Sequence, residues 1–121
     1  MADIIFYNEA GEAVAYSDDG VHIYLYIGIP VAYFDKNSIY SYSGRHLGWF
    51  EDGWIRDNNC DCVFFIENAK SGPLKPLKKL KPLKGLKKLK PLKKLKELKP
   101  FKSVKSLNWS PLSLEKFFEL N

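Results

Sequence analysis

The residues of strongest chemical character in this chain are lysines, and they stand in register. From Leu74 an apolar residue occupies every third position: Leu77, Leu80, Leu83, Leu86, Leu89, Leu92, Leu95, Leu98, Phe101, Val104 and Leu107. A lysine follows each of them from Lys75 through Lys105, and Pro73, Pro82, Pro91 and Pro100 add a period of nine. Such a row of ammonium groups suits anionic surfaces. Lys75, Lys78, Lys81, Lys84, Lys87, Lys90, Lys93, Lys96 and Lys99 are the candidate contacts to a membrane or another polyanion. Near an anionic bilayer a basic residue typically contributes about 1 kcal/mol, and the leucines would dip into the interface. An acidic protein partner fits the same charge. So does a solvated spacer lying partly on the chain's own acidic half. Nucleic acid would be held nonspecifically, through counterion release. The tract has no arginine and no aromatic residue before Phe101, so bidentate and stacked base recognition are missing.

Other chemistry is sparse. A general base needs a partner and a pocket, and neither can be assigned to His22 or His46, which read as surface or satisfied histidines. Cys60 and Cys62, two apart on a strand, share a face with Cα atoms roughly 6.5–7 Å apart, at the limit for a disulfide. With no histidine nearby in sequence they make a poor zinc pair and read as buried free thiols. Asp18, Asp19, Asp35, Glu51, Asp52 and Asp57 fall in turn sequences, where aspartate bonds its own backbone. No phosphate loop, zinc quartet or nucleophile motif occurs. The expectation is a non-enzymatic protein with no catalytic, metal or cofactor-binding residue.

Period three decides how the tract is built. On an α-helix each step advances about 300°, so the leucines would wind around the cylinder. The prolines would also remove hydrogen bonds, at about 3 kcal/mol each. Polyproline II has three residues per turn and lines leucine on one edge and lysine on the next. Residues 70–108 are therefore expected as a three-sided rod, in which residues 73–107 would reach on the order of 100 Å, or as a disordered arm with that bias.

The first half is a different material. Residues 1–68 hold eleven Asp and Glu against Lys36, Arg45 and Arg56, a charge of −8, whereas residues 69–121 hold sixteen Lys against three Glu, +13. Alignment on Gly11, Gly28, Gly44 and Cys60 shows a repeat with spacings of 17, 16 and 16. Phe6, Ile23, Ile39 and Ile55 stand five residues before these positions. Tyr7, Tyr24, Tyr40 and, as a departure, Arg56 stand four before. Val14, Val31, Leu47 and Val63 follow three after, then Ala15, Ala32, Gly48 and Phe64, then Tyr16, Tyr33, Trp49 and Phe65. Gly20, Asn37 and Gly53, nine after, are residues that accept positive φ. Each unit reads as a hairpin closed by a turn with a glycine bulge. Four equivalent hairpins (residues 1–69) are expected to close around an axis, which removes sheet edges; an open four-hairpin sheet is the alternative. Along the second strands Val14, Val31, Leu47 and Val63 are expected to share a face with Tyr16, Tyr33, Trp49 and Phe65, two residues later. The small residues Ala15, Ala32 and Gly48 mark packing near the axis or channel, with Phe64 filling space there.

The Ile-Tyr…Gly…Val-Ala-Tyr units, the Gly44-Arg-His-Leu-Gly-Trp49 hairpin, the proline-spaced lysine tract and the closing Trp109-Ser110 resemble the four-fold β-flower proteins. The resemblance implies a mainly β, shallow, pseudo-four-fold barrel with hairpin petals around an apolar channel, similar in outline to the lipid-binding tubby domain. It carries no established activity and no catalytic residues. An apolar ligand in that channel is one expectation that follows. In residues 109–121, Ser110 as N-cap and Pro111 at the first turn predict a helix over 111–120. Trp109 would staple to Leu114, and Leu114, Phe117 and Phe118 form an apolar face that is expected to dock on the barrel, the alternative being another binding partner. The start Met-Ala-Asp-Ile-Ile-Phe lacks signal-peptide character. No apolar run approaches the ~18 residues of a membrane span. The expected location is cytoplasmic, with the tract giving access to the membrane periphery.

Overall fold

The computed structural model describes residues 2–120. β1 (Ile4–Tyr7), β2 (Ala13–Ser17), β3 (His22–Leu25), β4 (Pro30–Asp35), β5 (Ser38–Tyr40), β6 (His46–Glu51), β7 (Trp54–Asp57) and β8 (Cys62–Phe65) pair antiparallel in sequence order, and β8 returns to β1 to close a barrel. The closing pair is Tyr7 opposite Phe65, with rings stacked at 5.4 Å.

The four hairpins are built alike down to their hydrogen bonds. The amides of Gly11, Gly28, Gly44 and Cys60 donate to the carbonyls of Asn8, Leu25, Ser41 and Asp57 at 2.8–3.0 Å. All four residues have positive φ, at 81°, 100°, 93° and 63°. Each hairpin then slips by one residue, between Phe6 and Tyr7, Ile23 and Tyr24, Ile39 and Tyr40, and Ile55 and Arg56. A bulge bends and twists its strand, and the same bulge four times over gives the even curvature that eight short strands need to close.

Two sequence expectations are corrected, the first of them by the bulge. Val31, Leu47 and Val63 pack in the central cluster with Ala32 and Phe64, whereas Tyr16 and Tyr33 belong to separate outer clusters. Simple alternation cannot persist across an inserted residue. In the β4–β5 turn the left-handed residue is Lys36, φ 58°, rather than Asn37. The carbonyl of Asn37 is engaged by the amide of Phe50.

Inside, Phe6, Ile23, Ile39 and Ile55 sit opposite Ala15, Ala32, Gly48 and Phe64, and all are buried. The glycine is needed at 48: a Cβ there would lie 1.9 Å from the Arg56 carbonyl oxygen. The axis is filled rather than open. Phe6, Phe34 and Phe50 gather with ring centroids 5.4–6.2 Å apart. Phe64 stacks on Phe118 and meets Phe117 edge-on, both at 5.7 Å.

Those two phenylalanines come from α1 (Leu114–Phe117) and its C-cap. The helix starts three residues later than its local signals suggest. The Ser110 hydroxyl donates to the Asp57 carboxylate, and Ser113 becomes the N-cap, accepting from the Lys116 amide. Trp109 makes no staple. It packs against Trp54 and Phe65 while its neighbours extend the barrel wall at Cys62.

A buried phenylalanine truncated to alanine typically costs about 3–5 kcal/mol, a large share of a small domain's stability. Phe118→Ala is therefore expected to shift the urea midpoint of the whole barrel. A transition unchanged from the parent's would show that the helix does not support the body.

Candidate functional site

Residues 73–107 form neither helix nor strand; they run round the barrel as a belt. The amides of Lys79, Lys88, Glu97 and Ser106, nine residues apart, donate to the carbonyls of Gly11, Gly28, Gly44 and Cys60 at 2.8, 2.9, 2.8 and 3.3 Å. Gly85 and Lys94 add bonds to Tyr26 and Tyr42. Nine belt residues thus answer one hairpin of sixteen or seventeen. Four such nonamers in polyproline II would extend about 110 Å, enough to close a ring of roughly 18 Å radius. The prolines fall where no amide is required.

The belt lies so close that the hairpin glycines are required twice over. Besides their positive φ, a Cβ on Gly11, Gly28 or Gly44 would stand 2.0, 1.9 or 2.0 Å from the carbonyl oxygen of Leu77, Leu86 or Leu95. Cys60 carries that Cβ, and at the fourth hairpin the belt's bond is the longest.

The lysine edge faces inward. Lys78, Lys87 and Lys96 lie over the rings of Tyr7, Tyr24 and Tyr40, and Lys84, Lys93 and Lys102 over Tyr16, Tyr33 and Trp49, at 4.3–5.7 Å from the centroids. Most of these ammonium groups then reach a carboxylate: Lys78 meets Glu67, Lys84 Asp3, Lys87 Asp18 and Lys102 Glu51. Lys96 stands 2.8 Å from Asp35 and Lys105 3.2 Å from Asp52. Lys75 donates to the carbonyls of Glu67 and Ala69. Cation–π contacts and exposed ion pairs are individually weak; here they repeat at each petal.

This arrangement revises the sequence-based site. Lys75, Lys78, Lys84, Lys87, Lys93 and Lys96 are already engaged by the chain's own rings, carbonyls and carboxylates. Among the described residues, Lys81, Lys90 and Lys99 carry no ion pair. Outward stands the apolar edge, with Leu74 through Val104 exposed at 89–100 %.

Arg56, which breaks the tyrosine pattern, is fully buried and closes the ring. Its Nη1 donates to the carbonyls of Cys60 and Ser106 and its Nη2 to that of Ser71, at 2.7–2.8 Å. Ser71 precedes the belt and Ser106 ends it, so one guanidinium fastens both.

The remaining candidates are structural. His46 bonds Asn58 at 2.7 Å and Ser38 at 3.1 Å, and burial lowers its pKa. Cys60 and Cys62 are buried free thiols, and burial pushes Cys62 up to about 11. Among the described residues no three His, Cys, Asp or Glu side chains gather as a metal site. No described helix is long and apolar enough to cross a membrane.

An eight-stranded closed barrel of four equivalent hairpins, girdled by its own C-terminal segment, defines a pseudo-four-fold flower-like domain. The chain belongs to the 4-fold beta flower protein family, whose model matches residues 4–118 and so takes in barrel, belt and helix together. Neither the curated proteins nor the solved structures contain a match to it.

Two expectations test the belt. Hydrogen bonding to Lys96 and Lys78 depresses the pKa values of Asp35 and Glu67. A depressed carboxyl pKa contributes stability above its unfolded value and loses it as pH falls through the folded one. The belt is therefore expected to hold at neutral pH and loosen below about pH 4. Protection factors of the Lys79, Lys88 and Glu97 amides, referenced to barrel amides, measure this; constant ratios down to pH 3 would rule the ion pairs out as fasteners. Arg56→Met would leave the carbonyls of Ser71 and Ser106 without their donor, each worth about 1–3 kcal/mol when buried, and would leave that of Cys60 with only the Ser106 amide. It is expected to lower stability by at least about 2 kcal/mol and to expose the ends of the belt to protease.

Proposed function

We propose that this chain is a non-enzymatic binding protein that seats on anionic membrane surfaces through the leucine edge of its belt. The observation that carries the reading is the outward row Leu74–Val104, whose side chains are left almost wholly uncovered by the rest of the molecule. Large contiguous apolar surface on a folded protein marks an interaction site. Leucine alternating with lysine suits the lipid–water boundary: the leucine enters the acyl region while ammonium groups remain among phosphates. The chain's net charge of +5 favours an anionic leaflet. Binding by a few leucines and a few lysines would be reversible, as for peripheral proteins that combine two weak signals.

An acidic protein partner has less support, because most lysines of the inner edge already face carboxylates of the barrel. A ligand within the barrel also has less support, because phenylalanines occupy the axis.

Flotation with mixed phosphatidylserine and phosphatidylcholine vesicles tests the proposal. The chain is expected to float at low salt and less so at high salt. Leu83→Ser combined with Leu92→Ser should weaken binding about tenfold or more, taking roughly 1 kcal/mol per partly inserted leucine. Both side chains are over 90 % exposed, so the melting temperature should stay put. Failure of the parent chain to float at low salt would reject the reading.

A further inference from the structure

The belt completes a ring, and a flat bilayer can meet only an arc of a ring's outer edge. The four arcs are chemically unequal although their backbones are alike, and we infer that the second petal, Ile27 with Leu83, Leu86, Leu89, Lys88 and Lys90, is the arc that meets an anionic bilayer. The inference rests on the membrane reading and assigns its orientation.

Three observations single out this arc. The first is the hairpin turn itself. In the second petal it reads Tyr26-Ile27-Gly28-Ile29, where the others carry Glu9 and Glu12, Ser43 and Arg45, or Asn58, Asn59 and Asp61. Ile27 is 64 % exposed, the most exposed large apolar residue described outside the belt. The belt is pressed against it: the Gly85 amide bonds Tyr26 at 2.6 Å, and a Cβ on Gly85 would come within 2.7 Å of the Ile27 carbonyl oxygen. Ile27 thus extends the leucine edge from the barrel side.

The second observation is charge. The triplets that flank the contact amides read Lys79-Leu80-Lys81, Lys88-Leu89-Lys90, Glu97-Leu98-Lys99 and Ser106-Leu107-Asn108. Paired positive charge occurs in the first two only. The third observation separates these two. Neither pair makes a direct ion pair among the described residues, but at the first petal acidic side chains stand close by: Lys79 shares a cleft with Glu12, and Lys81 shares one with Asp3 and Glu67 and helps to lower the pKa of Glu67. At the third petal Glu97 accepts from the His46 amide and pairs with Arg45. Among the described residues neither Lys88 nor Lys90 has a carboxylate within ion-pair distance, since Asp18 is taken by Lys87. Two uncompensated cations therefore flank Leu89, beside an exposed isoleucine, on one arc.

Environment-sensitive labels read this orientation. Leu86→Cys and Val104→Cys each accept an NBD fluorophore, at side chains exposed by 93 % and 89 %; the native Cys60 and Cys62 are buried and remain unlabelled. With mixed phosphatidylserine and phosphatidylcholine vesicles, the label at 86 is expected to brighten and shift to the blue, and that at 104, on the fourth petal, to stay unchanged. Lys88→Gln with Lys90→Gln should weaken binding about 30-fold. Lys36→Gln with Lys116→Gln, which removes the same charge elsewhere on the surface, should change it less than about twofold. Equal shifts at 86 and 104, or equal losses from the two lysine pairs, would overturn the orientation while membrane binding stood. Parent chain that stays unbound would remove both.

Discussion

The structure depends on a register between two repeats of different length. The barrel repeats every sixteen or seventeen residues because a hairpin needs two strands and two turns. The belt repeats every nine because that is how far an extended chain runs from one hairpin to the next. The carbonyls of Gly11, Gly28, Gly44 and Cys60 are where the two counts coincide. Fixing those points places the inward lysines over tyrosine rings and brings their ammonium groups to the acidic turns. Charge alone would not select that arrangement, since opposite halves can attract in many ways. Backbone hydrogen bonding at four spaced points supplies the phase, and the side chains follow.

That phase explains the division of labour within each belt triplet. Given a three-residue twist, one edge must face the barrel through its backbone, the next leans over the wall, and the last points away. Lysine suits the leaning edge because its long apolar stem covers a ring while its head reaches a carboxylate beyond. Leucine is left on the outer edge, where it contributes nothing to this molecule's own packing. The regularity of the outer edge is thus not needed for the fold. Proline or lysine triplets with polar third residues would satisfy the same hydrogen bonds and ion pairs. An apolar residue kept at every step from Leu74 to Leu107 is most simply understood through contact with something outside the chain.

Much of the barrel was legible in the sequence. The anchor residues with their flanking Ile-Tyr and Val-Ala-Tyr segments predict four hairpins, and equivalence of the hairpins predicts closure. What local pattern could not supply were features set by distant partners. The serine of a good capping sequence, Ser110, accepts from the Leu112 amide but is tied to the barrel by donating to Asp57, and the helix begins at the next suitable cap, Ser113. Alternation along β4 predicts Val31 beside Tyr33, but the one-residue slip sends Val31 to the centre. The destination of the belt was the largest gap. Both periods, nine and sixteen, were visible, as was the opposite charge of the two halves. Only the coaxial arrangement turns them into one register, and that is a property of the closed barrel rather than of either segment. Most of the candidate lysines accordingly lean over the barrel, because their nearest partners are carried by the same chain.

The irregular fourth petal follows from closing a ring with a linear chain. A belt that circles the barrel must begin and end in the same place, so at one petal the repeating contact cannot be made in full. There the chain carries Arg56 for tyrosine, Cys60 for glycine, and Phe64 for alanine or glycine. The guanidinium takes carbonyls from both ends of the belt, which a tyrosine hydroxyl, with a single proton to donate, could not do. The Cys60 side chain stands where a tightly seated belt would clash, and the belt is already leaving. Phe64 fills the axis and offers its ring to Phe118, so the departing segment can return over the barrel mouth as α1. The three departures act on one problem, and a side chain like that of Cys60 would strike the belt at any of the other petals. Four-fold repetition builds the wall, and its single coordinated exception lets the same chain wrap that wall and then cap it.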